Sequence, residues 1–114
     1  MNIVKTSLPG LVIIEPKVFG DSRGFFLETW SRKQYGEAGI DEDFVQDNLS
    51  LSGAGVLRGL HYQHPDTQGK LVYVLQGEVF DVAVDIRTDS PTFGKWEGVV
   101  LSGENKRQVY VPRG

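Results

Sequence analysis

The chain has 114 residues, a formal net charge of −3, no cysteine and 39% hydrophobic residues. This size suits one domain with a modest core, so residues 1–114 are treated as a single domain. The lack of cysteine excludes disulfide bonds, a thiolate nucleophile and a cysteine-bound zinc site. The scattered basic residues offer no patch for nucleic acid. No apolar run approaches the ~20 residues of a membrane helix, and no signal-peptide pattern is present, so we expect a cytoplasmic protein without a membrane partner.

Most of the chain follows the alternation of apolar and polar residues that is typical of strands. Strands are predicted for residues 10–16, 25–30, 44–50, 56–63, 70–75, 79–87, 95–101 and 108–111, with turns at 19–24, 53–55 and 76–78. A short helix is predicted at 31–39, with Ser31 as its N-cap and Gly39 just past its end. Many short strands separated by glycine and proline turns favour an antiparallel sandwich or barrel. If the first strands lie outside it, the barrel is open, which indicates a piece of a larger structure.

His61 is the strongest candidate for catalysis. On the predicted strand 56–63 it shares a face with Gly59 and Gln63. An imidazole can accept protons near neutral pH, so His61 could act as a base. The alternative is a half-buried strand histidine bonded to the backbone. His64, three residues on, could serve a metal together with His61 only in a loop conformation, because residues three apart point to opposite faces of an extended chain. His64 is therefore predicted to be a solvated loop residue.

Lys70 begins a very apolar strand, where its ammonium could stabilise a developing oxyanion. The alternative is a solvated residue at a strand start. Asp81 and Asp85 share one face of the predicted strand 79–87 with Ala83. One of these aspartates could orient a histidine, or the face could be a polar side turned to solvent.

Two further groups of residues could bind a nucleotide or a sugar. Arg23, Phe26 and Glu28 place a guanidinium, an aromatic ring and a carboxylate in one strand, which suits a phosphate and a base. Arg23 beside Asp21 could equally form an ion pair within a turn. On the predicted strand 44–50, Gln46 and Asn48 share a face that could read a sugar or base edge, while Asp47 points away.

Five segments occur in one order and spacing that together resemble the dTDP-4-dehydrorhamnose 3,5-epimerase family. They are Asp21-Ser22-Arg23-Gly24-Phe25-Phe26-Leu27-Glu28, Gln46-Asp47-Asn48, Leu57-Arg58-Gly59-Leu60-His61-Tyr62-Gln63, Gly69-Lys70-Leu71-Val72 and Gln76-Gly77-Glu78-Val79-Phe80-Asp81-Val82-Ala83-Val84-Asp85. Each motif is weak alone, but five in register are specific, and the resemblance covers essentially the whole chain. It implies an all-β, cupin-like jelly roll that forms a homodimer in which N-terminal strands are exchanged between subunits.

The resemblance also implies a reaction and a set of residues. The substrate is dTDP-4-dehydro-6-deoxy-D-glucose, which is epimerised at carbons 3 and 5 by proton abstraction next to the carbon-4 ketone. By position, His61 matches the base, Lys70 the residue that holds the enolate oxygen, and Arg58 a ligand of the substrate phosphate. The nucleotide and sugar binding set is matched by Arg23, Phe26, Glu28, Gln46, Asp47 and Asn48.

No metal or other cofactor is implied. Lys70 stands ahead of Gly77 at the place where many metal cupins carry a glutamate ligand. An ammonium in place of a carboxylate argues against a divalent ion at that position.

The chain departs from the family after residues 112–114. There the family continues into a Phe-Ala-His-Gly-Phe-like stretch, and its later part supplies a further binding histidine, a tyrosine that returns the proton and an aspartate paired with the base. By register, Tyr62, Tyr73 and Tyr110 do not replace that tyrosine. We therefore expect a parent epimerase of which these 114 residues alone turn over substrate feebly or not at all.

Other readings stay open at this point. A relative that epimerises one carbon only, or a ketoisomerase, could share the scaffold. A non-catalytic nucleotide-sugar binding fragment and a purely structural β-domain are alternatives from other classes. A metal-dependent cupin oxygenase is a further one.

Overall fold

A computed structural model describes residues 1–114 as eight short strands and one helix, with every strand pair antiparallel. In chain order these are β1 (Asn2–Lys5), β2 (Val12–Glu15), β3 (Val18–Asp21), β4 (Gly24–Leu27), α1 (Arg32–Glu37), β5 (Lys70–Tyr73), β6 (Glu78–Val84), β7 (Trp96–Ser102) and β8 (Gln108–Val111). The strands form a four-stranded sheet of order β1-β2-β8-β5 and two hairpins, β3–β4 and β6–β7. The helix spans six residues, and no helical segment is long and apolar enough to cross a bilayer.

The β6–β7 hairpin packs on one face of the four-stranded sheet. Val99 and Leu101 of β7 form a buried cluster with Val109 of β8 and with Leu8 and Leu11 from the segment before β2. Because strand side chains alternate between faces, the other face of the hairpin points outward. Its large apolar residues, Phe80, Trp96 and Val100, are exposed.

Helix α1 and the residues after it cover the opposite face of the sheet. Tyr35 and Ile40 form a second buried cluster with Ile14 of β2 and Tyr110 of β8. The ring of Trp30 lies 4.8 Å from that of Tyr35 and 4.7 Å from that of Phe44, in tilted and edge-on contacts. The sheet is therefore the middle of three layers.

Local sequence explains why this helix starts and stops where it does. The Ser31 hydroxyl accepts a hydrogen bond from the Gln34 backbone N–H, which satisfies a donor that the first turn leaves free. At the other end Gly39 has φ +96°, a conformation that side chains disfavour. The short helix predicted at 31–39 is thus confirmed.

A buried hydrogen-bond relay attaches the helix to β8. The Tyr35 hydroxyl donates to Gln108 Oε1 at 2.7 Å, and Gln108 Nε2 donates to the Thr29 carbonyl at 2.9 Å. Burial raises the pKa of Tyr35 to about 12. The phenol therefore stays a neutral donor well above neutral pH.

Replacing Tyr35 with phenylalanine is expected to lower the free energy of unfolding by about 1–3 kcal/mol, because Gln108 Oε1 is left as a buried acceptor without its donor. Urea denaturation followed by circular dichroism would measure the loss. Tyr73→Phe is the matched control, since the side chain of Tyr73 is 40% exposed. Equal stability of the two variants would contradict a role for the relay.

The all-β antiparallel architecture agrees with the prediction, although several bounds shift. The strands predicted at 10–16, 25–30, 70–75, 79–87, 95–101 and 108–111 correspond to β2, β4, β5, β6, β7 and β8. Residues 18–21 form β3, so the predicted turn at 19–24 begins inside a strand.

The strands predicted at 44–50 and 56–63 are wrong, because neither segment forms a strand. A strand needs a neighbour for its backbone groups, and these residues pair with no other part of the chain. Phe44 is half-buried against Trp30. The other apolar side chains from residue 45 to residue 62 include a set that is exposed: Val45, Leu49, Leu51, Val56, Leu57, Leu60 and Tyr62. We call residues 45–62 the apolar segment.

Candidate active site

The β3–β4 hairpin carries three of the predicted site residues on an exposed ribbon. At its turn Asp21 accepts hydrogen bonds from the Arg23 backbone N–H at 2.8 Å and from the Arg23 guanidinium at 2.6 Å. The bond from the Arg23 side chain is the main cause that lowers the pKa of Asp21. The turn ion pair that the sequence left open is therefore present. Phe26 is 73% exposed on β4, and Glu28 is exposed just beyond that strand.

The apolar segment, which includes His61, holds most of the remaining predicted residues, all of them exposed. Gln46 Nε2 donates to Asn48 Oδ1 at 3.2 Å, so the predicted polar pair does come together. The prediction that it does so on a strand is wrong, and so is the strand face assigned to His61, because this part of the chain has no strand pairing.

Asp47 is exposed beside the Gln46–Asn48 pair. Arg58 Nε donates to Ser52 Oγ at 2.9 Å. His61 is exposed and makes no hydrogen bond to another predicted site residue, so its half-buried, backbone-bonded alternative is not found either.

Lys70 begins β5 on the face that looks toward the β6–β7 hairpin. It is paired with Val111, and two residues further along the same face Val72 packs against the cluster of Val99 and Leu101. Asp81 approaches the same space from β6, since it lies opposite Val99 on the inner face of the hairpin. Lys70 is exposed and Asp81 is half-buried.

The solvent-facing alternative for Asp81 and Asp85 is wrong. Both side chains lie on the inner side, because the apolar partners Val99 and Leu101 of β7 turn this face toward the core. Asp85 is 4% exposed and lies just after β6, so the predicted strand 79–87 ends earlier than its pattern indicated.

A carboxylate network around Asp85 shapes the loop between β6 and β7. Asp85 accepts from Arg87 Nε at 2.9 Å, from Ser90 Oγ at 2.5 Å and from Thr92 Oγ1 at 2.6 Å. Arg87 in turn donates to the Pro9 carbonyl at 2.9 Å. The guanidinium of Arg87 is the main cause that holds the pKa of Asp85 far below its usual range. This network is structural, and it ties the loop to the N-terminal segment.

A second cluster, not predicted, lies beside Gly69, the residue before Lys70. Glu42 accepts from the Tyr110 hydroxyl at 2.8 Å and from the Arg113 guanidinium at 3.1 Å. The Arg113 guanidinium is the main cause that lowers the pKa of Glu42. A Cβ added at Gly69 would lie 2.6 Å from Glu42 Oε1. The glycine before Lys70 therefore leaves room for the Glu42 carboxylate next to the start of β5, and the Gly69-Lys70 pair was the one sequence signal of this cluster.

The predicted residues offer charged and aromatic groups that suit an anionic ligand, and the exposed imidazole of His61 is open to proton transfer. No group of three or more histidine, aspartate or glutamate side chains is placed to hold a metal ion. Two surface depressions, one at Met1 and α1 and one at the β5–β6 and β7–β8 turns, contain none of the predicted site residues.

The chain is similar to a known family of proteins. The family model described as dTDP-4-dehydrorhamnose 3,5-epimerase matches residues 5–114. A dTDP-4-dehydrorhamnose 3,5-epimerase of Shigella flexneri is 63% identical over 100% of this chain and 64% of its own length.

Epimerases of known structure are also similar to this chain. The dTDP-6-deoxy-D-glucose-3,5-epimerase of Legionella pneumophila Philadelphia 1, in complex with dTDP-4-keto-L-rhamnose, superposes with a TM-score of 0.95 at 65% identity, over 99% of this chain and 61% of that one. A 3′-monoepimerase of Streptomyces bikiniensis, in complex with dTDP-quinovose, has a TM-score of 0.88 at 34% identity, over 97% of this chain and 57% of that one.

These comparisons confirm the predicted cupin-like fold. The chain spans about three fifths of the length of such relatives, 64% for the Shigella protein and 61% for the Legionella one. A family match over residues 5–114 covers nearly all of it. The chain therefore belongs to the dTDP-4-dehydrorhamnose 3,5-epimerase family.

Proposed function

We propose that the protein converts dTDP-4-dehydro-6-deoxy-D-glucose to dTDP-4-dehydro-L-rhamnose, as a step of dTDP-L-rhamnose biosynthesis. The observation that carries the proposal is the TM-score of 0.95 to an epimerase that holds dTDP-4-keto-L-rhamnose, at 65% identity. The cytoplasmic location expected from the sequence stays a prediction.

In this reaction the ketone at carbon 4 acidifies the protons on carbons 3 and 5. His61 takes a proton from carbon 3 or 5, and the electron pair of the broken C–H bond forms an enolate with its charge on the carbon-4 oxygen. Lys70 donates a hydrogen bond to that oxygen, because an ammonium stabilises an oxyanion more than a neutral ketone. A proton from solvent water then adds to the opposite face of the carbon, which inverts its configuration and restores the ketone, and the imidazolium of His61 returns its proton to the solvent.

The remaining predicted residues would bind the substrate. Arg58 suits the diphosphate, since a guanidinium can donate two parallel hydrogen bonds to phosphate oxygens. The nucleotide and the sugar would be held by Arg23, Phe26, Glu28, Gln46, Asp47 and Asn48. Exposure of Phe26 leaves its ring free to stack on a base, and the Gln46–Asn48 pair presents amide groups to a polar edge.

We further propose that the protein acts as a homodimer in which the N-terminal strands are exchanged. The β3–β4 hairpin forms a two-stranded sheet of its own, and Phe19, Phe25 and Phe26 on it are each more than half exposed. An isolated hairpin is marginally stable in water. A second copy that packs on Phe25 would bury apolar area and bring the binding residues of one subunit to the site of the other, while Phe26, on the opposite face of β4, stays open to the base.

Epimerisation at carbon 3 alone is the second candidate. The likeness to the Streptomyces bikiniensis 3′-monoepimerase favours it, and the lower identity of 34% makes it the weaker of the two. Both candidate functions begin with proton abstraction, so they differ only in which carbons exchange their protons with solvent.

Solvent deuterium exchange tests the proposal. The chain is incubated with dTDP-4-dehydro-6-deoxy-D-glucose in D₂O, and NMR follows deuterium at each carbon, while calorimetry measures dTDP binding separately. Deuterium at carbons 3 and 5 supports the 3,5-epimerase, and deuterium at carbon 3 alone supports the second candidate. Binding of dTDP without exchange would assign the chain to non-catalytic nucleotide-sugar binding. Neither exchange nor binding would overturn the proposal for this chain.

A further inference from the structure

Asp81 is an inward-facing carboxylate that no part of the proposed reaction yet uses. It lies on β6 opposite Val99, in the middle of the hairpin face that packs on the four-stranded sheet. Its neighbour on that face, Ala83, contacts the buried cluster. Asp81 itself is half-buried and takes part in none of the ion pairs of the chain. A carboxylate that is turned inward and has no hydrogen-bond or ion-pair partner is stabilised by a nearby cation.

Lys70 is the cation that the topology brings to this carboxylate. Lys70 and Val72 share one face of β5, and Val72 contacts the same buried cluster as Ala83. The two faces that meet around the cluster therefore carry Lys70 from the sheet and Asp81 from the hairpin.

The other charged groups on these two faces interact with residues other than Asp81 and Lys70. Glu97 of β7 accepts a hydrogen bond from the Ser7 hydroxyl at 2.6 Å. Glu15 and Arg107 lie 3.6 Å apart at the end of the sheet away from Lys70. Burial raises the pKa of Asp81, and the charge of Lys70 opposes that rise.

We propose that Asp81 is a positioning residue that holds the ammonium of Lys70 over the space between the sheet and the hairpin, where the enolate oxygen would form. The geometry of this proposal comes from the two facing strands. Its effect on catalysis rests on the proposed function. A flexible lysine side chain gives up much rotamer freedom when it is fixed. If a carboxylate already holds the lysine side chain in place, that side chain loses less rotamer freedom during the reaction.

The first test does not depend on activity. The ¹³Cγ resonance of Asp81 is titrated in the wild-type chain and in Lys70→Met, which keeps the length of the side chain without its charge. The midpoint is expected to be higher in Lys70→Met, because the stabilising charge is gone. Identical midpoints would overturn the proposal, whatever the chain does to a sugar.

The second test is a double-mutant cycle on deuterium exchange. Asp81→Asn is expected to slow exchange about tenfold when Lys70 is present and to have no effect in Lys70→Met, since Asp81 acts through Lys70. Glu97→Gln, at the neighbouring inner-face carboxylate, is the control and should leave the rate unchanged. Equal slowing by Asp81→Asn in both backgrounds would indicate a merely structural role and overturn the proposal. If the wild-type chain exchanges no deuterium, the proposed function fails. The titration alone then decides whether Asp81 and Lys70 interact.

Discussion

Replacement of His61 by alanine is expected to slow deuterium exchange at carbons 3 and 5 by about 10²–10⁴-fold, the usual contribution of a positioned general base. Without the imidazole, the carbon acid must lose its proton to water, although Lys70 can still stabilise the enolate. The affinity for dTDP is expected to stay within about twofold, because the base acts on the sugar and not on the nucleotide. NMR exchange rates and calorimetry would give the two numbers for each variant.

His64 provides a matched control, because His61 and His64 are the only histidines of the chain. Both are exposed, and they lie three residues apart. His64→Ala is expected to exchange deuterium at the wild-type rate. If the two variants lose activity equally, a general effect on this loop explains the loss and His61 is not the base.

Replacement of Asp85 by alanine is expected to lower the free energy of unfolding by about 2–4 kcal/mol. Removal of one member of a buried ion pair typically costs ~3–5 kcal/mol, and the figure is reduced here because the side chain of Arg87 is 27% exposed. The Ser90 and Thr92 hydroxyls lose their acceptor at the same time. A domain of this size is stable by only ~5–15 kcal/mol, so the shift in the urea midpoint should be large.

The same network predicts a dependence on pH. The folded chain holds the pKa of Asp85 below that of an unfolded aspartate, about 4. The stabilisation is therefore fully present above about pH 4 and is lost as the pH falls further. The difference in stability between wild-type and Asp85→Asn should accordingly shrink in acid. Asp89→Asn, at an exposed carboxylate of the same loop, is the control, and equal behaviour of the two variants would contradict the assignment.

Local patterns predicted most of the elements whose partners lie within this chain, although β1 and β3 were missed. The bounds of β8 agree with the prediction, and Ser31 and Gly39 mark the helix because capping depends on neighbouring residues alone. The alternation in residues 44–50 and 56–63 is just as strand-like, yet neither segment pairs. Propensity describes how a side chain fits a sheet, whereas a strand also requires a second backbone alongside it.

The sequence predicted which residues belong to the candidate site better than it predicted how these residues are arranged in space. Resemblance identified His61, Lys70 and Arg58, and the structure turns Asp81 toward the same space between sheet and hairpin that Lys70 faces. The burial of Asp85 could not be read from its own strand pattern, because the direction of a face depends on what β7 and the N-terminal segment bring against it. Likewise, Glu42 and Arg113 lie 71 residues apart in the chain, so only the fold joins them.

The order β1-β2-β8-β5 of the central sheet has a consequence for how the chain folds during synthesis. β8 separates β2 from β5, although it follows both along the chain, so β2 can pair only with β1, and β5 with no strand of the sheet, until residues 108–111 have left the ribosome. Pairing over such long sequence distances is slow, and unpaired apolar strands stay open to aggregation while they wait. The nascent chain should therefore be most dependent on chaperones in the interval before β8 emerges.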